Sequence, residues 1–409
     1  MLEDFLSKFD ETAKFDYFYG VDFIQTGKRN LENMGGIKSL FENGIISLAL
    51  LPEKNDFLLS DEGKQARRDL TARNDPEEIK QYHENSKENL KFLDLKKLNL
   101  KERIILTPID HDYTGRTPLM NNSVFEHYGV NNAVSLFVVA NPLNVKLIFD
   151  SFKEDPKYIG GGAGSGFKEI VLQYLDEVSD TARDLGSANL IVNENKKLIG
   201  YNTDGLGFRI GLEKDLEKTG KNIRGKKVVI LGSGATLVPI AYELKNLNPK
   251  EIVILNRSVE RAETASIRLN KIVRSGYAKS GGEDKIGEEL RDAELVINVS
   301  QKGTGQLKNY SAFSPASTDK TGKPIKEKYE AEMQIARNNL SNLPKTAIVA
   351  DVLLEDNPKT LEMARNAGYI THHGKYMNLY QGIPWYGKLG FNFPEDELEK
   401  IIIKMLFKD

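Results

Sequence analysis

From Arg103 onward the chain alternates short apolar runs with stretches whose apolar residues recur at helical spacing. The run RIILTPI reads as a strand that stops at the turn-rich DHDYTGRTP, and a helix is predicted from Pro118 to His127. AVSLFVVA then reads as a strand and NVKLIFDSF as a helix. They are followed by the glycine cluster GGGAGSG at 160–166, a long helix predicted from Phe167 to Asp184, and the hairpin-like LIVNENKKLIGYN. A helix predicted from Gly205 to about Lys218 leads into KKVVILGSGATLVPIAYELKNLNPKEIVILNR. There a continuous apolar strand, Val228 to Leu231, enters Gly232-Ser233-Gly234, and apolar positions 237, 238, 240, 241, 244 and 247 follow at helical spacing. A second strand, Ile252 to Leu255, ends in Asn256-Arg257, and LVINVS and AIVADV continue the alternation. The predicted class is α/β: a doubly wound parallel sheet over 204–375, and a smaller α/β domain over 104–203 that helices in 376–409 complete.

Two stretches fall outside that alternation. Residues 1–103 end in a charged stretch, Asp61 to Arg103, whose scattered Leu and Phe suit solvated helices, and they are read as an N-terminal extension of no assigned function. Gln306 to Lys345 is long and polar between two predicted strands, an embellishment with its own helix near Lys326 to Ser341.

Composition narrows the classes. A chain of 409 residues, 40% hydrophobic and 28% charged, suits two or three ordinary globular domains. Lys+Arg 57 against Asp+Glu 59 leaves a formal charge of -2, with no global pull toward nucleic acid or anionic lipid. Without cysteine there is no disulfide, thiolate nucleophile or Cys-ligated metal. The five histidines, 83, 111, 127, 372 and 373, lack ligand spacing, so no metal is expected; His372-His373 reads as the end of a strand. Acids in the opening MLEDFLSKFDETAKFDYF argue against a presequence, and no run of 18 uncharged apolar residues occurs. The protein is expected to be cytoplasmic, a monomer or homodimer, with no nucleic-acid or membrane partner.

The glycine turn is the first candidate site. A pyrophosphate needs unobstructed backbone N–H groups, and Gly232, Ser233, Gly234 and Ala235 supply a close approach, although the third glycine of the usual fingerprint is absent. About 20 residues on, where a cofactor ribose should fall, an NAD site offers Asp or Glu. This chain offers Asn256, Arg257, Ser258 and Arg261, donors and cations that suit the 2′-phosphate of NADP. The glycine cluster before Lys168 is not a phosphate-binding Walker loop, since Phe167 intervenes and no Ser or Thr follows.

Two further groups invite a catalytic reading: Lys168 after the glycine cluster, and Asp204 in Asn202-Thr203-Asp204-Gly205. An ammonium and a carboxylate from either side of an interdomain cleft can hold a substrate hydroxyl and relay its proton.

The ordered set GRTPLMNN, Lys168, DLGSANLIV, GYNTDGLGF, LGSGAT, LNRSVERA, INVSQKGTG, AIVADV and GKYMNLYQG resembles the shikimate dehydrogenase family over about residues 104 to 409. The resemblance implies a Rossmann-type NADP domain and reversible, NADP-linked reduction of 3-dehydroshikimate to shikimate or a closely related cyclic hydroxy acid. It implies Lys168 as the catalytic lysine with Asp204 as its partner, Thr117, Asn189 and Gln381 as substrate contacts, and Met377 beside the nicotinamide. Several positions depart from the family. Gly115 stands where a serine holds the substrate carboxylate, unless Thr114 substitutes. Gly162, Gly164 and Gly166 stand where the family has Asn, Thr and Pro, and Leu354 where it has Tyr. A glycine nest for a different substrate, Ser165 as a replacement donor, or decay to a non-catalytic NADP-binding sensor would each account for these. The aromatic cluster Tyr376, Tyr380, Trp385 and Tyr386 suits either cleft lining or hinge packing.

Overall fold

A computed structural model describes residues 47–49, 102–109, 117–139, 145–164, 166–319 and 323–407. Most of the extension 1–103, and Thr114, Gly115 and Ser165, lie outside the described residues. Two compact units emerge. The first takes the described residues up to Asn202 together with Trp385–Met405, and the second takes Thr203–Pro384 and the residues from Leu406. The chain thus returns to the first unit at Trp385, later than the expected 376.

In the first unit the strands are β1 (Ser47–Ala49), β2 (Arg103–Ile109), β3 (Ala133–Val139), β4 (Tyr158–Gly162), β5 (Glu177–Val178), β6 (Leu190–Glu194) and β7 (Lys197–Tyr201). They form one mixed sheet in the order β1-β3-β2-β4-β6-β7-β5. The helices of this part are α1 (Thr117–His127), α2 (Val145–Glu154) and α3 (Asp180–Leu185). Ile148, Phe149 and Phe152 of α2 bury with Tyr158, Phe167 and Ile191 in one core. The expected hairpin is β6–β7, whose two-residue turn places Asn195 and Lys196 at positive φ, as a tight primed turn requires.

The long helix predicted from Phe167 to Asp184 is not formed. A turn and a 3-10 helix at Ile170–Tyr174 lead into β5, and only then does α3 begin, capped by the Ser179 hydroxyl accepting from Ala182 N–H at 3.3 Å. Asp176 N–H donates to the Leu198 carbonyl and Ser179 N–H to that of Gly200, each at 2.9 Å. Pairing with β7 therefore satisfies the backbone that a helix would have satisfied locally, and the apolar spacing from Phe167 onward serves a turn and an edge strand.

The second unit is a six-stranded parallel sheet of β8 (Lys227–Leu231), β9 (Glu251–Leu255), β10 (Ala278–Gly281), β11 (Ala293–Asn298), β12 (Ile348–Asp351) and β13 (Ile370–His373). Its order, β10-β9-β8-β11-β12-β13, reverses between β8 and β11, the doubly wound arrangement that opens a crevice at the carboxyl ends of those two strands. β8 is buried throughout, as its unbroken apolar run predicts for a central parallel strand. Helices α4 (Asp204–Thr219), α5 (Leu237–Glu243), α6 (Val259–Ile272), α7 (Ile286–Glu289), α8 (Tyr329–Ser341), α9 (Lys359–Asn366) and α10 (Gly374–Lys388) accompany the sheet, and α11 (Glu395–Leu406), which belongs to the first unit up to Met405, is the last described helix. Helix α10 straddles the division between the units.

Candidate active site

The turn after β8 sits at the switch point. Gly232 has φ +107°, its N–H donates to the Leu255 carbonyl at 2.8 Å, and a Cβ there would lie 2.7 Å from the Ser300 backbone nitrogen. A Cβ on Gly234 would overlap the Val299 carbonyl. Both glycines are therefore required by the close approach of the loop after β11. Gly234 and Ala235 are exposed and Ser233 is half-buried, leaving a short, bare stretch of backbone ahead of α5. Asn256, Arg257 and Ser258 form the tip of β9, with Arg261 in the first turn of α6. The Ser258 hydroxyl accepts from Arg261 N–H at 3.4 Å, and Asn256 Nδ2 donates to the Ser258 carbonyl at 3.0 Å. Arg257 and Arg261 are exposed. A glycine cradle without room for Cβ atoms, followed by a tip in which Asn256, the exposed Arg257 and Ser258 stand where an NAD site offers a carboxylate, fits a dinucleotide bearing a 2′-phosphate.

Also in the second unit, α4 crosses the first part of α10. Asp204 opens α4 and is only 4% exposed, its carboxylate in the first turn, where the helix dipole favours a negative charge. Thr203 Oγ1 donates to the Gln381 carbonyl at 3.0 Å, and a Cβ on Gly207 would overlap the Gln381 amide nitrogen. Gln381 is half-buried and Met377, on the same helix, is buried. The glycines of NTDGLGF thus have a physical reason: Gly207 lets α10 close onto α4, and Gly205 lets α5 do so through the Pro239 carbonyl.

Lys168 and Asn189 belong to the first unit and are pinned to neighbouring backbone. Ala188 N–H donates to the Lys168 carbonyl at 2.8 Å, Ala163 N–H to the Asn189 carbonyl at 3.0 Å, and Asn189 N–H to that of Tyr201 at 2.9 Å. Asn189 is buried and Lys168 half-buried. Asn202 holds the same corner, its amide donating to the Ser187 carbonyl and hydroxyl, both at 3.0 Å. Thr117 begins α1 and is half-buried.

The glycine cluster is not a free loop. Gly160, Gly161 and Gly162 lie on β4 between β2 and β6, and Cβ atoms at 160 and 161 would overlap the backbone of Ile191 and Leu106. Gly166 has φ +80°, a conformation closed to the proline that the family carries there. Thr107 at the end of β2 escaped the sequence reading, because it sits inside an apolar strand run and only the register of β2 with β4 puts it against Gly162. Lys302 and Asp351 stand in the family-like stretches INVSQKGTG and AIVADV without a role read from the sequence, and only the fold shows that both are buried.

Comparison with known proteins supplies the context. Residues 104–191 match the family model of the shikimate dehydrogenase substrate binding domain, and 214–307 that of shikimate / quinate 5-dehydrogenase. A shikimate dehydrogenase (NADP(+)) of Alkaliphilus metalliredigens is 32% identical over 304 residues, covering 72% of this chain and 93% of the relative. A shikimate dehydrogenase solved in complex with NADP+ superposes with a TM-score of 0.59 at 25% identity, covering 78% of this chain and 98% of its own. The fold is shared with shikimate 5-dehydrogenase from Listeria monocytogenes, solved with shikimate and NAD, at a TM-score of 0.60, 22% identity, 73% of this chain and 96% of that one.

Proposed function

The chain belongs to the shikimate dehydrogenase family, and we propose that it is an NADP-dependent oxidoreductase interconverting 3-dehydroshikimate and shikimate, or a closely related cyclic hydroxy acid. The observation that carries the reading is the presence, in one unit, of a fitted dinucleotide cradle and a buried Asp204 at the start of α4, where the flanking Thr203 and Gly207 meet Gln381. The cofactor, when bound, supplies or accepts the hydride. The protein's own task is to place the substrate carbon and to manage one proton. In the reducing direction the Lys168 ammonium gives its proton to the carbonyl oxygen as that oxygen gains charge, and takes it back in the reverse direction. Asp204 accepts a hydrogen bond from a ring hydroxyl and so orients the reacting alcohol. Asn189, Gln381 and Thr117 fix the ring through its hydroxyls and carboxylate. Arg257, with Asn256, Ser258 and Arg261, selects the phosphorylated ribose, and Met377 packs beside the nicotinamide. In this reading the enzyme works in the cytoplasm on a freely diffusing small molecule, as a monomer or homodimer.

Absorbance at 340 nm with shikimate and NADP tests the proposal. Turnover by the wild type, lost in Lys168→Ala while NADP still binds in a fluorescence titration, supports it. Tight NADP binding with no turnover of shikimate, quinate or related acids would instead support a non-catalytic sensor built on the same fold.

A further inference from the structure

The segment between β11 and β12, an embellishment by sequence, lies in the structure against the cationic tip of β9. Arg257 Nη1 donates to Thr318 Oγ1 at 3.3 Å. The Lys302 ammonium, from the loop after β11, donates to the Ser314 carbonyl and sits 2.7 Å from Glu283 Oε1, with its side chain only 8% exposed. The segment is itself anchored. Ala312 N–H donates to Thr360 Oγ1 at 3.0 Å and Asn339 Nδ2 to the Phe313 carbonyl at 2.8 Å. Ser317 N–H donates to Glu332 Oε1 at 2.7 Å, and Ile325 N–H to the Ser317 carbonyl at 2.9 Å. Taking an ammonium out of water is costly unless it is paired, and Glu283 is the pair. Burial still holds the Lys302 pKa below its ordinary value, and the nearby Arg257 charge adds to that shift. Two cations, from the loops after β9 and β11, are thus positioned by one segment. Because Thr318 accepts from Arg257, its own hydroxyl proton remains available to a phosphate oxygen.

We infer that Ser311–Asp319 is a cofactor-discriminating wall: Thr318 holds the Arg257 guanidinium toward a ribose 2′-phosphate, and Lys302, anchored on Ser314 and paired with Glu283, stands behind it. The inference rests on the reading of Asn256–Arg261 as the ribose-phosphate tip. Fluorescence titration of NADP and NAD on the full chain tests it with Thr318→Val, Lys302→Met, Glu283→Gln and Arg257→Ala. Thr318→Val is expected to weaken NADP about three- to tenfold, the net worth of one ordinary hydrogen bond, and to leave NAD unchanged. Lys302→Met weakens NADP selectively, and so does Glu283→Gln, because the buried ammonium then loses the partner that keeps it charged. Should Lys302→Met fail to fold, Thr318→Val at the half-buried edge and Glu283→Gln still decide. Thr318→Val and Glu283→Gln variants that shift both nucleotides equally, or neither, overturn the inference when Arg257→Ala alone loses NADP selectively. If Arg257→Ala leaves the NADP-to-NAD ratio unchanged, the tip assignment itself is wrong.

Discussion

The Thr107 hydroxyl oxygen accepts a hydrogen bond from the backbone N–H of Gly162 at 3.1 Å, and the same side chain occupies the space that a Cβ at position 162 would need. That Cβ would lie 2.7 Å from Thr107 Cγ2 and 3.2 Å from the Trp385 ring. The asparagine that the resemblance expects at this position therefore has no room until Thr107 moves; it overpacks the sheet.

Gly162→Ala is expected to lower stability by about 1–3 kcal/mol, the usual cost of forcing atoms into a filled core. Thr107→Ala in the same chain should recover part of that loss by removing Cγ2, a non-additivity that urea unfolding of the two single variants and the double variant measures. Gly162→Asn that unfolds like the wild type and binds shikimate more tightly would show that Thr107 does not fill this space in solution.

Asp204→Asn separates chemistry from structure. The change keeps size and shape at the start of α4 and removes only the charge, so the helix loses about 0.3–1 kcal/mol of dipole stabilisation. On the proposed reading, in which this carboxylate meets the reacting alcohol, kcat falls by about 10²–10⁴ while NADP affinity is unchanged. Steady-state kinetics beside nucleotide titration checks this. A variant whose only defect is a raised KM would assign Asp204 to substrate binding alone.

Gly232→Ala tests the cradle. At φ +107°, with a Cβ 2.7 Å from the Ser300 nitrogen, alanine must push the loop after β11 away from the β8 turn. On the proposed reading, in which the turn serves the pyrophosphate common to both, the expected result is a loss of at least tenfold in affinity for NADP and NAD alike. Selective loss of one nucleotide would contradict that assignment.

Much of this architecture is legible before any coordinates. Val228 to Leu231 announces a buried parallel strand because both of its faces are covered, and Gly232 and Gly234 announce a turn because backbone approaches backbone there. Lys168, Asp204 and the β9 tip follow from order along the chain. What escapes the sequence is set by partners distant along it. Phe167 to Asp184 carries helical spacing, yet its backbone bonds go to β7. The three glycines of β4 look like a nest, yet they answer to Leu106, Thr107 and Ile191 on neighbouring strands. Thr318 reaches Arg257 across 61 positions of sequence that no local pattern spans.

Asp351, the last residue of β12, couples pH to the loop that backs the cofactor turn. It stands opposite Asn298 in the register of β11 and β12, and its Oδ2 accepts from Asn298 Nδ2 at 2.9 Å while Oδ1 accepts from Leu353 N–H at 3.0 Å. Asn298 in turn donates to the Lys302 carbonyl at 3.0 Å and accepts from the Ser300 N–H and hydroxyl at 2.9 and 2.7 Å. Complete burial pushes the Asp351 pKa up to about 7, against the hydrogen bonds from Asn298, Leu353 and Thr360, which favour the anion. The folded protein therefore binds a proton here more tightly than the unfolded chain, whose carboxyl titrates near 3.8. The resulting stabilisation is complete below the unfolded value and is lost as pH rises through about 7. His373 works the other way: burial lowers its pKa from 6.5 to about 4, so stability falls as pH drops through that interval. Asp351→Asn isolates the first effect, since the variant keeps His373 and cannot ionise at 351. The Tm of the wild type minus that of Asp351→Asn should be largest below about pH 4, shrink as the pH rises toward about 7, and level off above it. A difference that is flat, or that grows with pH, would show that the carboxyl is already ionised below pH 5 and that the Asn298 network holds an anion.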